Sequence, residues 1–75
     1  MELPDVAANV RAELARRRDK TKAGLRVALD DMPRVSLWRR LSGEVPFSAN
    51  EIARVADYLE VPISVLFSTP EQASA

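Results

Sequence analysis

The sequence has no cysteine and no histidine among its 75 residues. The first absence excludes disulfides and thiolate metal sites, and the second removes the commonest metal ligand and the usual general base. Adjacent acids remain at Asp30 and Asp31, but in so short a chain we interpret them as a solvated helix end. We therefore expect no catalytic activity, no metal, no cofactor and no small-molecule substrate.

Long apolar runs are also absent. No stretch approaches the roughly 20 apolar residues of a membrane span. The N-terminal segment MELPDVAANV lacks the basic-then-apolar order of a signal peptide. These absences predict a cytoplasmic protein that does not enter a membrane. We assign residues 1–68 to one domain with a small core and expect residues 69–75 to form a flexible tail.

The formal net charge of zero conceals an uneven distribution. Residues 11–42 carry ten basic and four acidic side chains, a net charge of +6, whereas the flanks together carry one base and seven acids. Such asymmetry is more informative than the total. On charge alone, a nucleic-acid surface and a set of solvated helix faces are equally favoured.

Caps and apolar spacing predict the first two helices. Asp5 suits the N-cap of a helix that ends near Arg18, and Thr21 suits the N-cap of a second helix over residues 22–31. Gly24 in the second helix costs something like 1 kcal/mol relative to alanine. Such a glycine is tolerable where another helix crosses closely.

The remaining helices have clearer start and stop signals. A third helix over residues 34–41 ends before Gly43, which suits a left-handed exit. Ser48 and Glu51 form a capping box at the start of a fourth helix, and a short fifth helix covers residues 63–67. The second and third helices together have the span of a helix-turn-helix.

The third helix divides into two faces at about 100° per residue. Leu37, Trp38 and Leu41 share one face, and we interpret them as the buried anchor; base stacking is the alternative role for Trp38. Ser36, Arg39 and Arg40 point away from this anchor. Val35 lies at the edge, and Arg34 falls on the inner side but in the first turn, where its side chain can leave around the helix end. These five residues are our candidates for DNA base contacts.

These residue types suit the major groove of DNA. Arginine can donate two hydrogen bonds to guanine, serine can bond several bases, and valine can meet a thymine methyl group. Arginine also binds phosphate without reading sequence, and a merely solvated face is the alternative. Lys22, at the start of the second helix, is well placed for a phosphate.

Four motifs, in order, carry a family resemblance: NVRAELARR, T-K-A-G-L-x-x-A-L, S-L-W-R-R-L-S-G and P-F-S-x-x-E-I-x-x-V-A-x-Y-L-E-V-P-I-S-V-L-F. Over roughly residues 6–67 the chain resembles the Cro and phage-repressor (XRE-type) helix-turn-helix domains. The run WRRLSGEVPFS is similar to immunity repressors of actinobacterial phages. The resemblance implies a compact, all-α, five-helix lambda-repressor-like bundle that binds double-stranded operator DNA as a transcriptional repressor, often as a homodimer.

By position, the resemblance implies phosphate contacts for Thr21 and Lys22 and places the base-contact candidates on the exposed part of a recognition helix. The turn between the second and third helices departs from the family because Asp30-Asp31-Met32-Pro33 replaces a small residue and valine. About one extra residue leaves the register of the third helix open by one. Glu60 stands where the family has a glycine after the fourth helix.

Two further hypotheses stay open. An antitoxin-like or adaptor module would use the acids of the fourth helix, Glu51, Asp57 and Glu60, as its partner surface. The chain could also be the DNA-binding segment of a longer repressor. The apolar residues of the fifth helix either form a dimer surface or close the core: Ile63, Val65, Leu66 and Phe67.

Overall fold

The computed structural model describes residues 3–69, and secondary structure over that range is entirely helical. The predicted all-α class and the number of helices are confirmed. No helix in residues 3–69 is long and apolar enough to cross a membrane. The expected tail lies outside the described residues from position 70 onward. The elements are α1 (Val6–Arg16), α2 (Lys22–Ala28), α3 (Arg34–Leu41), α4 (Ala49–Leu59) and α5 (Ile63–Leu66).

Side-chain caps begin three of the helices, as the sequence predicts. The Asp5 carboxylate accepts a hydrogen bond from the amide of Ala8 at 3.0 Å. The Thr21 hydroxyl accepts from the amide of Gly24 at 3.0 Å. The capping box of α4 is complete in both directions. Each cap satisfies backbone N–H groups that have no partner within their helix.

The first two helices end earlier than predicted. α1 stops at Arg16 because Arg17 adopts an extended conformation and turns its guanidinium back onto the carbonyl of Glu13 at 2.9 Å. α2 stops at Ala28 rather than in the region of Asp31. The predicted ends at residues 18 and 31 were therefore wrong by two and three positions.

Two consecutive left-handed residues form the turn between α2 and α3. Asp30 and Asp31 have φ of 59° and 57°, a conformation that aspartate tolerates better than most residues. Arg26 closes the turn because its carbonyl accepts from the amide of Met32 at 3.1 Å and its Nε donates to the Met32 carbonyl at 2.8 Å. α3 then begins at Arg34, as predicted.

The core forms where the apolar faces of the helices meet. The predicted inward face of α4 is confirmed because Ile52, Val55, Ala56 and Leu59 are all buried. α5 contributes Leu66, which is fully buried. The side-chain amide of Asn9 in α1 donates to the Leu66 carbonyl at 2.9 Å, so this last helix is fastened to the first. Ile63 and Phe67 remain exposed, and their use in a dimer stays a prediction.

The packing order determines where a functional surface can form. α3 packs against α1, whereas α2 packs against α4. An open groove lies between α2 and α3, and α1 provides its third wall.

Candidate nucleic-acid interface

The buried side of α3 is narrower than predicted. Leu37 and Leu41 are buried, at 3% and 6% exposure, but Trp38 is 62% exposed. The interpretation of Trp38 as a core anchor was therefore wrong. Leu37 and Leu41 stay inward as expected, but the half-buried residues beside them are Ser36 and Arg40 rather than Trp38. The polar edge of α3, not its tryptophan, turns towards α4.

Arg40 occupies that polar edge. Its Nε lies 3.0 Å from Oε1 of Glu51 on α4, and its Nη1 donates to the Ser36 carbonyl at 3.1 Å. The Arg40 side chain is 23% exposed, so the pair is partly shielded from water. The structure therefore ties this base-contact candidate to the protein itself, and Ser36 beside it is half-buried.

Glu51 joins the Arg40 pair to the α4 cap. Its Oε1 also accepts from the Ser48 amide at 2.8 Å. Burial raises the pKa of Glu51, but the hydrogen bonds from the Ser48 amide and from Arg40 outweigh burial, and the net pKa is below its ordinary value. The carboxylate is thus held ionised where it fixes α3 against α4.

The opposite edge of α3 faces solvent. We call it the open edge of α3, and it consists of Arg34, Val35, Trp38 and Arg39. These residues form two pairs at i, i+4 spacing, which places them side by side on a helix. The side chains of Arg34 and Arg39 make no ion pair within residues 3–69. Val35 is 60% exposed between them.

The start of α2 is held rigidly from α4. The Thr21 amide donates to the Tyr58 hydroxyl at 3.0 Å, and that hydroxyl donates to the Thr21 carbonyl at 3.2 Å. A Cβ added at Gly24 would lie 2.2 Å from the same hydroxyl oxygen. The close helix crossing inferred from this glycine is therefore present. Lys22 is exposed, and it makes no ion pair within the part of the chain that the structure describes.

The groove between α1, α2 and α3 joins the two predicted contact regions. Its volume is about 1010 Å³, and its lining includes Thr21, Lys22 and Trp38. No acidic residue of the described chain lines it. Five basic residues do, and we call it the basic groove: Arg11, Lys20, Lys22, Arg26 and Arg34.

The sequence predicted only some of the residues on this surface. It selected Lys22 on α2 and Arg34 on α3, which the structure brings together in the basic groove. It also selected Val35 and Arg39, which lie on the open edge of α3 and do not line the groove. It missed Trp38, whose hydrophobicity favoured the core, and Arg11, which lies on α1. The Arg34–Trp38 spacing of i, i+4 was the available signal that both could share an exposed edge.

Metal binding finds no support in the described residues. Within residues 3–69 no group of three or more histidine, cysteine, aspartate or glutamate side chains could hold an ion. The arrangement offers instead a cationic, partly apolar surface that suits an anionic polymer.

Comparison with known proteins identifies a family. The BetR domain matches residues 5–75, nearly the whole chain. No curated protein matches, and no solved structure matches. The chain therefore belongs to the BetR domain family, a helical, helix-turn-helix-like domain of some regulators.

Proposed function

We propose that this BetR domain is a sequence-specific double-stranded DNA-binding transcriptional regulator. α3 enters the major groove of an operator, and α2 crosses the phosphate backbone. The observation that carries the proposal is the open edge of α3, where Arg34 and Arg39 have no acidic partner within residues 3–69. Family membership supports a regulatory role, and the resemblance to phage immunity repressors favours repression.

The contacts differ in character along the surface. Arg39 is our first candidate for a bidentate hydrogen bond to guanine, and Val35 for contact with a thymine methyl group. Lys22 and Thr21 hold a phosphate and set the position of the domain without reading sequence. Arg40 ranks last among the predicted base contacts because its guanidinium is bound to Glu51.

The partner in this proposal is an operator with two half-sites. One recognition helix reads only a few base pairs, so useful affinity needs two copies on a pseudo-palindrome. The protein acts in the cytoplasm, as a binding domain rather than as an enzyme.

A selection from randomised double-stranded DNA tests the proposal. The wild-type protein should enrich a defined motif, and its affinity for that duplex should fall steeply as salt rises because phosphate contacts release counterions. Arg39→Ala should weaken binding by about 1–3 kcal/mol and relax the preference at one base pair. Lys22→Ala should weaken all sequences alike and reduce the salt slope by about 1.

The matched control is Arg18→Ala, which removes the same charge from the loop after α1. Arg18 is exposed, lies outside the basic groove and the open edge, and makes no ion pair within residues 3–69. This variant should leave the selected motif and its affinity nearly unchanged. Absence of any enriched duplex, or equal binding by the Arg39→Ala, Lys22→Ala and wild-type proteins, would contradict the proposal and favour the protein-interaction alternative.

A further inference from the structure

Trp38 is the only tryptophan of the chain, and the fold leaves it unburied. It is 62% exposed although tryptophan is highly buried in most proteins. It lines the basic groove, whose lining also includes the apolar residues Leu14, Ala15 and Ala23. A large amphipathic ring in a concave site is a typical contact residue for a partner.

The charges of the groove indicate the kind of partner. Lys22 and Arg34 make no ion pair within residues 3–69. Arg11 donates to the Leu41 carbonyl and Arg26 to that of Met32, so neither contact cancels a charge.

Lys20 is the one groove cation with an acidic partner among residues 3–69. Its Nζ lies 3.6 Å from a carboxylate oxygen of Glu60, whose side chain is 79% exposed. The Lys20 side chain is only 20% exposed, and its Nζ also lies 4.9 Å from the centre of the Tyr58 ring. The positive charge that the groove presents to an incoming anion therefore comes chiefly from its exposed basic side chains, Arg11, Lys22 and Arg34.

From these observations we propose that the basic groove holds the sugar–phosphate backbone of one DNA strand and that Trp38 packs against a deoxyribose of that strand. The inference rests on the proposed function and extends it from α3 to the wall formed by α1. Arg34 belongs both to the groove and to the open edge of α3, so one strand can pass along the groove while α3 meets the bases beside it. Trp38 is then an affinity-determining contact that sets the depth of α3, without a base-specific hydrogen bond.

A single tryptophan makes the test direct, because its fluorescence reports on this groove alone. The probe is the duplex selected by the wild-type protein. Saturating duplex should shift the Trp38 emission and reduce its quenching by acrylamide. Trp38→Ala should weaken binding about tenfold, with base preference unchanged. This is the lower end of the range for an aromatic ring stacked on a base, because a sugar offers the ring no π-face. Trp38→Phe should restore most of that affinity.

Val27→Ala is the matched control, since Val27 is a 67% exposed apolar residue on α2 that does not line the groove. Thermal unfolding of all three variants should stay near wild type because both side chains are largely exposed. If a Trp38 variant fails to fold, the acrylamide-quenching measurement still tests the inference, because it uses the wild-type protein.

The outcomes separate the inference from the proposed function. Duplex binding that depends on Arg39 but leaves Trp38 quenching unchanged would overturn the inference and leave the proposed function intact. Equal protection of Trp38 by polyglutamate at matched charge would also overturn it, because the groove would then be a docking surface for acidic protein. Failure to select any duplex would overturn both.

Discussion

α4 and the basic groove use their polar side chains in opposite ways. α4 reaches three other parts of the chain: Glu51 pairs with Arg40 of α3, Arg54 with Asp30 of the turn, and Tyr58 hydrogen-bonds to Thr21. The lining of the basic groove contains five basic side chains and, within the described chain, no acidic one.

The difference separates residues that hold the recognition elements from residues available to a partner. Arg39 and Arg40 show it most clearly, because they are neighbours in sequence and differ in environment. Arg40 is partly buried against α4 and bound to Glu51. Arg39 is exposed, and its guanidinium has no acidic partner within residues 3–69. The first should matter for stability and the second for binding.

The largest effect on stability should come from filling the space between α2 and α4. In Gly24→Ala the new Cβ would meet the Tyr58 hydroxyl at 2.2 Å, so the ring must move and its two hydrogen bonds to Thr21 are lost. Overpacking costs typically 1–3 kcal/mol, and alanine regains part of this through helix propensity. Urea unfolding should show a net loss of about 1–2 kcal/mol.

A double-mutant cycle with Tyr58→Phe checks that cause. Without the hydroxyl, Gly24→Ala should cost about 1 kcal/mol less than it does in the wild type. An equal cost in both backgrounds would show that Tyr58 does not set the limit at Gly24.

The next largest effect should be a difference in stability between variants of Arg40, which pairs with Glu51, and of Arg39, which has no acidic partner within residues 3–69. Arg40→Ala removes a partly buried charge-assisted hydrogen bond and should lower the free energy of unfolding by about 1 kcal/mol. Arg39→Ala should change it by less than about 0.5 kcal/mol, as is usual for an exposed position. Equal losses in the two variants, measured by urea unfolding, would remove the distinction between the two edges of α3.

The sequence predicted the elements better than their orientation. Caps at Asp5, Thr21 and Ser48 are local interactions between residues close in the chain, so they can be read from spacing. The burial of Arg40 involves Glu51, which lies on another helix, and an apolar tryptophan next to Leu37 in sequence favoured the wrong face. The basic groove was not predicted because it needs Arg11 of α1 and Arg34 of α3 in one place, and only tertiary packing brings them there.

A smaller effect should appear as a pH dependence at α4. Because the pKa of Glu51 is lowered in the folded protein, the unfolded chain takes up this proton first as pH falls. The ionised Glu51 side chain therefore contributes its full stabilisation above the ordinary glutamate pKa of about 4.3. That contribution is lost as the pH falls from there through the lowered pKa of Glu51 in the folded protein. Glu51→Gln should be less stable at neutral pH, and its difference from the wild type should shrink over this acidic range.

Glu44→Gln provides the control for this pH dependence. Glu44 is exposed and makes no ion pair within the described residues 3–69. The stability of this variant should follow the wild type across the same pH range. A constant difference between Glu51→Gln and the wild type would exclude ionisation of Glu51 as the cause.

The smallest effect should be a gain in stability at the other end of α4. Glu60 ends this helix in the left-handed conformation, with φ of 57°, which costs roughly 1–2 kcal/mol for a residue with a Cβ. Glu60→Gly removes that strain but frees the unfolded chain and deletes the weak pair with Lys20, leaving a net gain of about 0.5 kcal/mol. Glu60→Gln, which loses the pair but keeps the strain, should not gain. Urea unfolding measures both variants. A loss of stability in Glu60→Gly would mean that the ion pair with Lys20 stabilises the fold by more than the backbone strain at Glu60 costs. The end of α4 would then hold the loop before α2 more firmly than the exposure of Glu60 indicates.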